Sequence, residues 1–164
     1  MEASTRTEEL TLRSFSLGDH QYWQDWEQRE DLYRYMNHTK PMSWDEQRNY
    51  PADNCLLWMI EINGQPVGAV WLEEIDKQHS RAKLGILLEA GSREKGLGTE
   101  VVLRVCNYAL YQVKLGLVYL FVRETNQRAI RCFQKAGFYI DEVLAPRRFA
   151  DGSYQHLVKM VRNM

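Results

Sequence analysis

Long apolar runs are missing from this chain. No stretch approaches the roughly 20 residues needed to span a bilayer. Met1 to Glu9 is polar and charged, without the apolar segment a secretory leader carries. A charge bias is missing too: 21 basic residues against 22 acidic ones leave a net charge of −1, which points to neither nucleic acid nor a membrane surface. Cysteine is scarce. Cys55, Cys106 and Cys132 are odd in number and widely spaced, so free thiols in a reducing cytoplasm are expected rather than a disulfide framework. His20, His38, His79 and His156 are scattered, and no Cys/His spacing resembles a metal site. There is no linker, repeat or low-complexity segment, so the 164 residues, 45% hydrophobic and 26% charged, read as one domain spanning 1–164.

What is present is a regular alternation of strand and helix patterns. Leu10 to Phe15 alternates apolar and polar residues as a half-buried strand does. From His20 to about Met36 the pattern is helical, with Tyr22, Trp23, Trp26, Leu32, Tyr33 and Met36 on the apolar side and a break near Arg29 to Asp31. His38 to Asn54 is irregular. Leu56 to Ile62 and Val67 to Ile75 read as strands joined by Asn63-Gly64, a hairpin turn because both residues tolerate positive φ. Arg81 to Glu89 is the next strand, followed by a helix from about Gly98 to Val113. Leu117 to Val122, six apolar residues in a row, suits a central strand buried on both faces. Asn126 to Ala136 is helical, with Gly137 placed to end it, and strands are expected at Phe138 to Leu144 and Ser153 to Val161 around an Asp151-Gly152 turn. The order β-α-α-β-β-β-α-β-α-β-β describes a single α/β domain with a mixed sheet.

Arg93-Glu94-Lys95-Gly96-Leu97-Gly98 joins a strand to a helix. Unpaired N–H groups at a helix start, together with the helix dipole, favour an anion, and Arg93 and Lys95 add charge, so the local chemistry reads as phosphate binding. A dinucleotide fingerprint fails, since Val101 stands where its third glycine would fall, and no Gly-Lys-Ser/Thr completes a P-loop. By itself the loop is equally a plain helix start.

Its context is more specific. Arg-x-x-Gly-x-Gly from Arg93, then a helix, an apolar strand and Asn126-Gln-Arg-Ala-Ile-Arg-Cys-Phe-Gln-Lys-Ala-Gly-Phe138, resembles the two signatures of the GCN5-related N-acetyltransferases (GNAT). Gly68 to Asp76, Arg81 to Ile86 and Phe149 to Tyr154 are similar to the spermidine-type and ribosomal-protein-type members. The resemblance implies a single-domain GNAT-like fold, a mixed and largely antiparallel sheet of about seven strands flanked by about four helices. It implies acetyl-coenzyme A as cosubstrate with no metal. Ile86, Leu87 and Leu88 would lie beside the pantetheine arm, in a gap opened where their strand diverges from Leu117 to Val122. Arg93, Glu94, Lys95, Gly96, Leu97, Gly98 and Thr99 would bind the pyrophosphate, and Asn126, Ala129 and Phe133 would face or wall the arm.

The chemistry implied is attack of an amine on a thioester. Many family members place a Tyr where this chain has Phe133, and some place an acid where it has Lys83. The remaining base candidates are Glu73, Glu74 and Asp76, with Glu74 favoured, and the candidate proton donors are Tyr154 and Tyr139. Aromatic and acidic residues of the Tyr22 to Tyr50 segment would suit a cationic amine by cation–π contact and ion pairing. The expected protein is a cytoplasmic N-acetyltransferase, monomeric or homodimeric, without nucleic-acid or membrane partners. Its acceptor is a polyamine, amino sugar, amino acid or protein N-terminus. A non-catalytic acyl-coenzyme A-binding module and a regulatory nucleotide-binding domain stay open as alternatives.

Overall fold

The computed structural model describes residues 8–29, 40–93 and 96–164, with the backbone alone at Ala90 and Arg93. In chain order the elements are β1 (Leu10–Ser14), α1 (His20–Glu27), β2 (Trp44–Asp45), β3 (Tyr50–Pro51), β4 (Leu56–Ile62), β5 (Gln65–Asp76), β6 (Arg81–Leu88), a single turn α2 (Ala90–Arg93) and α3 (Leu97–Tyr108). There follow β7 (Leu117–Arg123), α4 (Gln127–Lys135), β8 (Tyr139–Val143), β9 (Arg147–Arg148), β10 (Tyr154–Gln155) and β11 (Leu157–Asn163). The second short helix expected before Met36 lies outside the described residues. Among the described residues no helix is long and apolar enough to cross a membrane.

Seven strands form one sheet in the order β1-β4-β5-β6-β7-β11-β8. All its neighbours are antiparallel except β6 and β7, which run parallel. The β4–β5 hairpin turns on Asn63 and Gly64 at φ 50° and 81°, the left-handed conformations that the Asn-Gly pair tolerates best. The helix after the glycine loop runs on past Tyr108 as a π-helical turn, Ala109–Val113. The irregular stretch before β4 holds the small β2–β3 ladder, which no alternation in the sequence announces.

Each face of the sheet carries its own core. One buries Val101, Val102, Val105 and Cys106 of α3 and Ile130 and Phe133 of α4 against Val70, Leu72, Leu120 and Met160. The other buries Trp23 and Trp26 of α1 against Phe15, Met59, Ala69, Trp71 and Leu87. Burying an apolar side chain of this size contributes roughly 1.5–3 kcal/mol, which fixes α1 firmly on the sheet. Trp23 and Trp26 are therefore packing residues on the sheet.

Alternation fails at the end of β5. Glu74 has φ 51°, and pairing with β6 jumps from Glu73–Lys83 to Asp76–Arg81. Pairing is regular up to Glu73, which is buried (3% exposed) on the face of Ala69 and Trp71, and the bulge that follows leaves Glu74 exposed.

Close backbone approach explains Gly68 on β5. A Cβ there would lie 2.1 Å from the carbonyl oxygen of Leu87, which is backbone and has little freedom to move. Gly68→Ala is expected to lower stability by about 1–3 kcal/mol in urea unfolding, while Gly18→Ala, with nothing within 4 Å of its Cβ, changes it by less than about 0.5 kcal/mol.

Candidate active site

The parallel pairing of β6 with β7 covers Arg81–Leu117, Ala82–Val118 and Lys83–Tyr119 and then stops. Beyond that point β6 follows β5 and β7 follows β11, so the two strands part. A cavity of about 350 Å³ opens in the split. Leu84, Gly85 and Ile86 of β6 and Leu120, Phe121 and Val122 of β7 form its sides. Asn126, Ala129 and Phe133 of α4 close one end, and Met42, Glu73, Lys83, Leu144 and Arg147 line it elsewhere. Backbone groups that lose a strand partner need another, so the split favours an extended amide-bearing ligand.

Most of the expected arm-side residues meet here. Ile86, Asn126, Ala129 and Phe133 all line the cavity. Leu87 and Leu88 do not; they are buried in the two cores on opposite sides of the sheet. Asn126 caps α4, its Oδ1 accepting from Ala129 N–H at 3.3 Å. Phe133 packs edge-on against Phe138 with centroids 6.0 Å apart and offers no hydroxyl. The glycine loop abuts the same end of the site. Gly96 precedes α3 at φ 70°, and a Cβ on Gly98 would meet Cys132 Sγ of α4 at 3.2 Å. Thr99 donates its hydroxyl to Cys132 Sγ at 3.5 Å. Leu97, Gly98 and Thr99 form the first turn of α3, where N–H groups are open to an anion. Glu94, Lys95 and the Arg93 side chain lie outside what is described.

The catalytic candidates fall differently. Glu73, not the favoured Glu74, is the carboxylate on the cavity lining. Its Oε2 accepts the N–H groups of Met42 and Ser43, and Lys83 Nζ lies 3.5 Å from its Oε1. Glu74 Oε2 accepts the Tyr119 hydroxyl at 2.9 Å and lies 3.6 Å from Lys83 Nζ. Tyr154 is 64% exposed and stands outside the lining, with Arg148 above its ring. Tyr139 is exposed and accepts from Asn163. Asp76 accepts from His79 in the turn after β5. Alternation puts the two acids on opposite faces but does not say which face meets the cleft.

Trp71 and Arg147 are among the lining residues that went unnoticed in the sequence. Trp71 is 2% exposed and stacks over Gly85, where a Cβ would lie 2.2 Å from the indole. Its Nε1–H has no partner among the described residues, a donor whose burial costs about 1–3 kcal/mol until an acceptor arrives. Arg147 belongs to the β9–β10 hairpin. The residues present thus fit an arm with amides and carbonyls lying between β6 and β7 and phosphates at the start of α3.

A family model described as an acetyltransferase (GNAT) domain matches residues 9–139. The chain belongs to the GNAT family. Among curated relatives, the spermidine N(1)-acetyltransferase of Escherichia coli K12 is 30% identical over 103 residues, 63% of this chain. The chain spans only 55% of that relative's length. The Vibrio cholerae spermidine N(1)-acetyltransferase is 25% identical over 158 residues, covering 93% of this chain and 91% of that protein. A crystal structure of the Vibrio cholerae enzyme in complex with CoA and spermine superposes with a TM-score of 0.83 at 23% identity, over 94% of this chain and 95% of that one. At that identity the likeness is one of fold. The expected α/β architecture, with its seven-stranded sheet, is the one this family has.

Burial, then the Glu74 carboxylate, push the Tyr119 hydroxyl up to about 12. A folded-state pKa above the unfolded value near 10 favours the neutral form, so this contribution to stability is full below about pH 10 and disappears as pH rises toward 12. In an absorbance titration at 295 nm, the ionisation removed by Tyr119→Phe is expected near pH 12. A lost step near pH 10 would show that the Tyr119–Glu74 contact is absent in solution.

Proposed function

We propose that this chain is an acetyl-coenzyme A-dependent N-acetyltransferase acting on a primary amine of a small molecule or a protein N-terminus. The observation that carries this reading is the split between β6 and β7, with its cavity running from the glycine loop side of α4 to Glu73 and Lys83. Membership of the GNAT family and relatives named for spermidine acetylation support it.

In this reading Ile86, Asn126, Ala129 and Phe133 hold the pantetheine arm, and the Arg93 to Thr99 loop takes the pyrophosphate. The bound thioester supplies an activated acetyl group. The amine nitrogen forms the new C–N bond, the C–S bond breaks, coenzyme A departs as the thiolate, and the amine's surplus proton passes to water. An alkyl amine with pKa near 10.4 is about one part in 2,500 neutral at pH 7, so baring its lone pair costs about 4.6 kcal/mol. Glu73 is poorly placed to lower that cost, because two backbone N–H groups and Lys83 already hold its oxygens. Its role is to anchor Met42 and Ser43 at the cavity. Alignment of the two substrates can offset roughly 7–11 kcal/mol of the barrier, enough to exceed the deprotonation cost.

Acetyl-coenzyme A is expected to raise the melting temperature where NAD and ATP do not; stabilisation by NAD or ATP alone would sink the reading. In thiol-release assays kcat/KM for an amine is expected to rise about tenfold per pH unit from 7 to 9, following the free-base fraction. Glu74→Gln leaves that profile unchanged. A plateau below pH 8 that Glu73→Gln abolishes would make Glu73 the base instead. Tight acetyl-coenzyme A binding with no turnover of any amine or peptide would favour the binding module, a reading that Phe133 in place of a hydroxyl donor keeps alive.

A further inference from the structure

Among the described residues, the carboxylates at the cavity are already engaged. Glu73, the carboxylate on the described lining, has Oε2 filled by two backbone N–H groups and Oε1 facing Lys83. Glu74, just outside, is occupied by Tyr119 and the same lysine. Two acids nearer the N-terminal end of the chain are paired as well. Asp19 bonds Arg13 at 2.9 Å, and Asp45 bonds Arg48 at 2.6 Å. A polyamine entering here would displace existing partners to find a carboxylate.

Arg147 presents the opposite case. It lines the cavity, and among the described residues its guanidinium has no carboxylate partner. Its Cζ lies over the Phe149 ring, 4.8 Å from the centroid. Phe149 is itself buried and carries a second guanidinium, that of Arg123, 4.1 Å away. Arg123 Nη1 donates to Asp151 Oδ2 at 2.8 Å, and Asp151 Oδ1 accepts the Ser153 hydroxyl at 2.6 Å and its N–H at 3.0 Å. These contacts lock the β9–β10 hairpin, lock the ring, and through the ring hold Arg147. A guanidinium that rests one face on an aromatic ring keeps its in-plane N–H fork available. That fork matches two oxygens of one carboxylate or phosphate.

We infer that the acceptor is an amine that also carries an anionic group, a carboxylate or a phosphate, bound by Arg147 at the β9–β10 hairpin. This narrows the acceptor within the acetyltransferase reading above and rests on it. The anion binds at the hairpin while the amine reaches into the split for the thioester. The reaction itself is unchanged: C–N forms, C–S breaks and the amine proton goes to water.

The test uses the full chain, with acetyl-coenzyme A binding measured separately from acetyl transfer. Three arms are compared by thiol release and by equilibrium binding to the coenzyme A-saturated protein. These are spermidine, amines bearing a carboxylate (amino acids and dipeptides, with their amides as neutral controls), and amines bearing a phosphate (amino-sugar phosphates, with the unphosphorylated sugars as controls). One anionic arm is expected to exceed its neutral control by about 10–100-fold in kcat/KM or in affinity. Whichever arm does so identifies the anion. Arg147→Gln is expected to erase that ratio, and Arg147→Lys to restore only part of it, with the acetyl-coenzyme A affinity unchanged within twofold in both. Spermidine outperforming every anionic amine, or a ratio that survives Arg147→Gln, overturns the inference and leaves the acetyltransferase reading standing. Failure of acetyl-coenzyme A to bind the wild-type chain overturns both.

Discussion

A parallel strand pair that stops pairing after Lys83 and Tyr119 imposes the demand that the rest of the site answers. Each of the two strands has a long antiparallel partner on its outer side, β5 for β6 and β11 along the whole of β7. Each strand stays in register with its outer ladder, and past Lys83 and Tyr119 the two ladders diverge. What stays open is a slot walled by Leu84, Ile86, Leu120 and Val122, with backbone along both sides. A slot of that kind is costly to leave dry. The fold therefore selects a ligand that brings its own amides, which is the physical content of the coenzyme A reading.

The bulge at Glu74 matters for a second reason. It begins only after Glu73, so that side chain keeps the inward face of Ala69 and Trp71 and lays its carboxylate on the Met42–Ser43 backbone, while Glu74 is turned out. A buried carboxylate without donors would be strongly unfavourable, and here two N–H groups and Lys83 meet it. The same contacts that make the charge tolerable tie the loop before β2 to the sheet. An acid that looks catalytic in the sequence thereby becomes a fastening, and its capacity to take a proton from substrate falls as its structural value rises.

How far the sequence reached follows from what its patterns encode. Leu56–Ile62 was legible residue for residue because Asn63-Gly64 marks its end chemically and apolar content marks its length. Asn126 as cap was legible from its residue type, and Ala129 and Phe133, to which the family resemblance pointed, line the cavity beside it. Glu73 against Glu74 was not, since alternation separates the two side chains without showing which face meets the cavity. Trp23 and Trp26 stayed ambiguous for a related reason: an amphipathic helix shows that aromatics share a face, but not whether that face meets the sheet or a ligand. Arg147 was invisible as a site residue because the ring that orients it, Phe149, is itself held by Arg123 and Asp151 across the hairpin. No local pattern records such a chain of contacts.

Phe133 sharpens which half of the reaction this site must assist. A thiol has a pKa near 8.5, so expelling coenzyme A as a thiolate at pH 7 costs only about 2 kcal/mol relative to the protonated form. Deprotonating an alkyl amine costs about 4.6 kcal/mol at the same pH. A missing hydroxyl donor beside the sulfur therefore removes help from the easier proton transfer. The harder one falls to solvent and to substrate alignment. A guanidinium anchored 4.8 Å from the Phe149 ring centroid would supply alignment by fixing one end of the acceptor. The nearby cation adds a smaller effect in the same direction, since positive charge from Arg147 disfavours the ammonium form and so eases the loss of its proton. In this geometry one residue can serve both selection and rate, and a site without a hydroxyl at Phe133 can still favour acetyl transfer.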